Sequence, residues 1–134
     1  MVDVGRKPVQ RRIARAEGRV RCQPATIVAL RAQALPKGDV LTVAKVAAIQ
    51  AAKRADELIP LCHSLPLDAV EITFEIEPAA VRIVAEVSTT AKTGVEMEAL
   101  TAVSIAALTI YDMCKAVDKS MVIDGIRVTK KEKA

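Results

Sequence analysis

Asp112 and Lys115 stand three residues apart near the end of a long apolar stretch. On a helix that spacing lets a carboxylate and an ammonium meet side by side. A lysine in a dry setting loses proton affinity and becomes a usable acid or base, while a neighbouring carboxylate pulls the other way. The same pair can also be a plain internal ion pair that specifies packing, and the spacing leaves both open. A second candidate is Cys62-His63, which carries the only histidine and lies between Pro60 and Pro66 in LIPLCHSLPL. Adjacent residues on a proline-bounded loop seldom converge on one ion, and no third or fourth ligand follows at zinc spacing. His63 therefore reads either as a structural histidine or as a substrate contact. A third candidate, Lys92-Thr93-Gly94, has the end of a phosphate loop without the glycine-rich run that must precede it, which excludes an ATPase of that type. A helix start at this point can still hold an anion.

The element that must position these groups runs from Lys92 to Lys119. The spacing predicts one long helix, with Thr93 as N-cap and Glu96 three residues later completing a capping box. Ala99 to Ile110 is apolar on nearly every side, so the helix needs cover from its own chain or from another subunit. At about 100° per residue, Thr101, Ser104, Tyr111, Asp112 and Lys115 share one polar arc flanked by Glu98.

Before it, Arg11 to Cys22 reads as a strand with Ala16, Val20 and Cys22 on one side. Pro24 opens a helix to Leu35, and Leu35-Pro36-Lys37-Gly38 breaks it. Asp39 caps a second helix to about Arg54, with Val43, Val46, Ala47 and Ala51 expected on its inner face. Leu58 to Leu67 is expected to be a buried connection. Val70 to Ile76 and Val81 to Val87 alternate as a strand pair joined at Pro78-Ala79-Ala80, with Glu and Arg opposed. A last strand spans Met121 to Val128, with a bulge or turn at Asp124-Gly125. Residues 1–10 and 129–134 read as a mobile arm and tail of a single domain over 1–134. The expected class is α+β: a ferredoxin-like βαββαβ antiparallel sheet, helices on one face, plus an extra helix.

The chain has 134 residues, 51% of them hydrophobic, enough for one core. Phe74 and Tyr111 are the only aromatics, which argues against base stacking on single-stranded nucleic acid. The net charge is +4, with basic residues crowded at both ends. That points to a solvated face or to an anionic ligand such as a phosphate. Three widely spaced cysteines imply no disulfide framework. The expectation is a soluble cytoplasmic protein with no membrane or nucleic-acid partner. A nucleotide-binding or RNA-binding module and a purely structural oligomer are the competing classes.

The segments LIPLCHSLPL, KTGVEMEALTAVSIAALTIYDMCKAVDK and GDVLTVAKVAAIQAAKR, with the opening MVDVG, strongly resemble the MoaC family of cyclic pyranopterin monophosphate synthases. The resemblance covers Met1 to about Val128. It implies a ferredoxin-like fold, a hexamer built as a trimer of dimers, and an active site at a subunit interface. It also implies a reaction: 3′,8-cyclo-7,8-dihydroguanosine 5′-triphosphate rearranged to cyclic pyranopterin monophosphate, with release of diphosphate. By position, Asp112 and Lys115 match the catalytic pair; Leu61, Cys62 and His63, and Met97 with Glu98, match substrate contacts. Lys37, Lys53, Arg12 and Lys131 match basic residues of the pocket. Ser64 stands where the family usually has proline. No dedicated metal ligands are implied, although magnesium accompanying the phosphates is compatible with the chemistry.

Overall fold

The computed structural model describes residues 1–134. Its elements are β1 (Gln10–Arg21), α1 (Pro24–Arg31), α2 (Val40–Lys53), α3 (Ala55–Leu58), β2 (Leu67–Glu77), β3 (Ala80–Ala91), α4 (Glu96–Cys114) and β4 (Val122–Lys133). The sheet order is β2-β3-β1-β4 and every neighbouring pair is antiparallel. β1 and β2 therefore run parallel with β3 between them, the split β-α-β unit of a ferredoxin-like fold. This is the α+β arrangement expected, with additional helical turns between β1 and β2.

Alternation does most of the work in the sheet. Val81, Ile83, Ala85 and Val87 of β3 and Ala14, Ala16 and Val20 of β1 are buried on the helix side. The opposite side is charged and self-paired. Glu17 lies between Arg82 and Arg127, while Arg15 meets Glu86 and Arg19 meets Glu77. Arg82 also reaches Glu75 across the β2–β3 pair at 3.2 Å, as the opposed charges imply.

α4 packs on β1, β3, β4 and α2. β1 gives it room through small residues. A Cβ added at Gly18 would sit 2.9 Å from Val103 of α4 and 2.9 Å from Ile126 of β4. α2 meets α4 along an alanine face, Ala44, Ala48, Ala51 and Ala52, opposite an α4 that buries Ala99, Ala102, Ala106 and Ala107. Ala51 was expected on that face, but Val43 and Val46 point outward. Close approach of two helices selects the smallest side chains, not the most apolar ones.

Other boundaries differ too. α4 starts at Glu96 with Val95 in the N-cap position and no side-chain cap, so Thr93 and Glu96 do not form a capping box. The helix ends at Cys114, and Lys115 to Val117 turn away from it. β4 runs to Lys133, so residues 129–133 are strand paired with β1 and not a tail. The Asp124-Gly125 irregularity is present: Gly125 has φ 68° and the β1–β4 register shifts there. The 59–66 connection is only half-buried, and Leu61 is exposed. α4 is long and apolar enough by composition to cross a membrane, but here it is the core helix of the fold, packed on three strands and α2.

The turn after α4 is pinned by Asp118, which is 2% exposed. One carboxylate oxygen accepts from Gln23 N at 2.9 Å and Thr26 Oγ1 at 2.8 Å, which ties the turn to the start of α1. The other accepts from Ser120 N at 2.8 Å and Ser120 Oγ at 2.7 Å. Burial pushes this carboxyl up, but the four hydrogen bonds outweigh it and bring it down to about 2. Measured against the ordinary 3.8, that corresponds to about 2 kcal/mol of stability at neutral pH. The folded pKa lies below the unfolded one, so this contribution is complete above pH ~4 and fades as pH falls toward about 2. Denaturant titrations of Asp118→Asn across pH should show a deficit of about this size at pH 7 that shrinks on acidification.

Candidate active site

Lys115 caps the C-terminal end of α4, one turn beyond Asp112. The Asp112 carboxylate accepts from Lys115 Nζ at 2.9 Å and from Lys37 Nζ at 2.7 Å. Lys37 arrives from the turn between α1 and α2, where Gly38 has φ 100° and Asp39 caps α2 by accepting from Thr42 N. The Lys37 hydrogen bond, then that of Lys115, holds the Asp112 carboxyl down at about 2. Asp112 is therefore a carboxylate at neutral pH, an acceptor that orders two ammonium groups. All three side chains are about half exposed. Such exposed pairs contribute little to stability, so their geometry is available for another purpose.

The opposite end of α4 carries a different cluster. A surface cavity of about 350 Å³ is walled by Leu61, Cys62, His63 and Leu65, by Thr93, Gly94, Glu96 and Met97, and by Val2, Val4 and Lys7. The proline-bounded loop is fixed from below by the buried Thr89, whose hydroxyl donates to the Pro66 carbonyl. Glu98 is 3% exposed and its Oε2 has no partner. Burial pushes its carboxyl up, against its own backbone N–H and the Cys62 thiol, 3.7 Å away. Cys62 is itself pushed up to about 11 by burial and then by Glu98. It is a neutral thiol at neutral pH, suited to contact and not to nucleophilic attack. His63 Nε2 lies 2.7 Å from the Val2 carbonyl oxygen.

A second hollow of about 260 Å³ adjoins this one, sharing Lys7, Gly94 and Glu96 and adding Arg12, Lys131 and Lys133. Arg12 is 5% exposed, and its guanidinium donates to the Ala91 and Lys92 carbonyls, both at 3.2 Å. It thereby fixes the chain leading into α4. Lys131 meets Glu96 at 2.6 Å. Burial raises the Glu96 carboxyl, but the Lys131 hydrogen bond leads the opposing effects and the balance is downward. Lys131 is placed by β4, beside Ala14 in register. Continuation of β4 past Val128 is what delivers it.

The matched residues thus form two groups. Lys37, Asp112 and Lys115 are together at one end of α4. Leu61, Cys62, His63, Met97 and Glu98, with Arg12 and Lys131 next door, are at the other. At about 1.5 Å of rise per residue, α4 separates Glu98 from Asp112 by about 20 Å. Lys53 makes no ion pair and lines a separate hollow with Ile49, Leu67 and Asp68. The expected polar arc of α4 is divided: Thr101 and Glu98 are buried, while Tyr111, Asp112 and Lys115 are exposed. Lys7 and Glu96 are site residues that the sequence did not single out as such. Glu96 passes for a cap, and Lys7 sits among many basic residues with no local pattern. No group of three or more His, Cys, Asp or Glu side chains is placed to hold a metal ion.

The chain is 62% identical over 133 residues to the cyclic pyranopterin monophosphate synthase of Chloroflexus aggregans, covering 98% of this chain and 81% of that protein. It is 56% identical over 131 residues to the protein of that name from Streptomyces griseus, covering 98% and 74%. It is 58% identical over 131 residues to a molybdenum cofactor biosynthesis bifunctional protein of Chlorobaculum tepidum, covering 98% of this chain and 42% of that one. The profile of the MoaC family spans residues 1–134, and the chain belongs to that family.

Proposed function

We propose that this chain is a cyclic pyranopterin monophosphate synthase of molybdenum cofactor biosynthesis. On this assignment it converts 3′,8-cyclo-7,8-dihydroguanosine 5′-triphosphate to cyclic pyranopterin monophosphate and diphosphate, at a site composed from two subunits. The relatives' names support the activity. The observation that carries the composite site is the separation of two half-sites by a rigid helix. A two-fold axis across α4 would set the Asp112 end of one copy against the His63 end of another, twice per pair. The outer face of the helical layer suits such a partner: Val43, Val46, Leu108 and Tyr111 are exposed there. Three such pairs would make the trimer of dimers.

Each group then has a task. Arg12, Lys131 and Lys37 supply positive charge to the triphosphate, and charge-assisted bonds are the strong ones. As a ribose oxygen closes on the α-phosphorus and diphosphate departs, cations steady the leaving charge. Lys115 transfers protons during the ring rearrangement. Asp112, ionised at neutral pH, aims the Lys115 ammonium and leaves proton donation to others. Glu98, whose burial favours the protonated form, positions the base or ribose together with His63.

The decisive test is complementation. Lys115→Ala and His63→Ala should each lower pterin formation by 10²-fold or more while keeping the assembly. Mixing the two after reversible dissociation should restore about a quarter of wild-type turnover, because half the pairs are mixed and each holds one intact site of two. Verified mixed oligomers with no recovered turnover would place Lys115 and His63 in one subunit's site or in none. A second measurement addresses the phosphates. Lys37→Ala should weaken diphosphate binding more at low salt than at high salt, as a screened charge contact must.

A further inference from the structure

Residues 2–7 cross the mouth of the His63 cavity and contact both of its walls. The Val2 carbonyl meets Nε2 of His63 at 2.7 Å, on the 59–66 loop. The Gly5 carbonyl accepts from Lys92 Nζ at 3.2 Å, on the segment leading into α4. The segment holds its own shape: Asp3 Oδ1 accepts from Gly5 N at 2.7 Å, and Val4 O accepts from Lys7 N at 3.0 Å. The first of these is an Asx turn, a side chain standing in for a backbone turn.

A carbonyl oxygen only accepts, so Nε2 of His63 must carry the hydrogen of that bond. This holds whether the ring is neutral or cationic. The other ring nitrogen, Nδ1, has no hydrogen-bond partner within the chain. We propose that residues 2–5 act as a positioning strap that fixes the His63 tautomer, making Nδ1 the one nitrogen that exchanges a proton with the ligand. A neutral ring then accepts at Nδ1 from an N–H or O–H of the bound heterocycle or sugar. After taking that proton it donates from the same atom, and the strap bond is unchanged throughout. One proton moves onto Nδ1 and the same proton leaves it, with no change at Nε2. Asp3, Val2 and Gly5 are positioning residues in this scheme, because they act through His63. The assignment rests on the placement of His63 in the substrate pocket proposed above.

His63 is the only histidine, so an enzyme made with ¹⁵N-histidine shows one imidazole. Long-range ¹H–¹⁵N spectra of the whole protein at alkaline pH, where the ring is neutral, should show a protonated, slowly exchanging Nε2 and an unprotonated Nδ1, without tautomeric averaging. In Asp3→Ala, which loses the Asx turn, the Nε2 proton should exchange faster and the Nδ1 signal should move toward its averaged position. Turnover gives a second reading through side-chain mimicry, with Asn placing polar atoms near Nδ1 and Gln near Nε2. His63→Asn should retain at least tenfold more turnover than His63→Gln. A protonated Nδ1 in the native spectrum, or more turnover in the Gln variant, would overturn the proposal and make the Val2 contact a plug that must open. Failure of wild-type enzyme to turn over the cyclised triphosphate would instead strike the functional assignment and leave the spectra to judge the strap alone.

Discussion

A helix cannot fold back on itself, and this one constraint governs the rest of the molecule. α4 is held straight by packing on every side that the chain can reach: β1, β3 and β4 beneath it, α2 beside it. Gly18 and the alanines of α2 let it sink deep into the layer. The same rod carries different groups at its two ends, an ion-paired lysine cluster at one and an open cavity of mixed polar and apolar lining at the other. The rigidity that holds each end in place also forbids the two from meeting within one chain. On the function proposed above, catalytic geometry and quaternary structure become one problem.

The segments around the rod serve its ends in different ways. Arg12, buried and bonded to two carbonyls, holds the chain where β3 passes into α4, so the start of the helix is fixed relative to the sheet. Asp118 does the equivalent after α4, joining the turn to the start of α1. Both are buried charged groups that hold backbone in place, Asp118 with the help of two hydroxyls, and both act close in sequence to the candidate chemistry. Lys37 is delivered by a glycine turn and an aspartate cap, which makes the Lys37–Asp112 contact a product of local turn geometry as much as of charge.

Much of this was legible in the residues and some was not. Period-two alternation over Val70–Ile76 and Val81–Val87 placed two strands and opposed Glu75 to Arg82, because burial on one face leaves little freedom of register. Asp39 announced its cap, and Gly125 its bulge. The inward face of α2 was misread because valine outranks alanine in hydrophobicity, whereas the neighbouring helix comes too close for valine. Thr93 and Glu96 have the letters of a capping box, yet Glu96 is claimed by Lys131 from the far end of the chain. A local motif has no access to that competitor. The strand character of Lys130 to Lys133 was hidden by charge, since an edge strand with one solvated face needs no apolar signal. The resemblance placed Asp112, Lys37 and His63 in one site, but only the fold reveals that a single helix keeps His63 from the other two.

The self-paired charges on the open face of the sheet carry one more implication. Glu17, Glu75, Glu77 and Glu86 balance Arg82, Arg127, Arg19 and Arg15 where they stand, so that surface projects little field of its own. Unpaired positive charge remains at the edge where β4 ends, with Lys7 and Lys133 around one mouth. A polyanion diffusing nearby meets a dipolar object with an attractive pole, not a uniformly basic sphere. That pole is felt over about 8 Å at physiological ionic strength, so it can orient an anion only in the last few ångströms before contact.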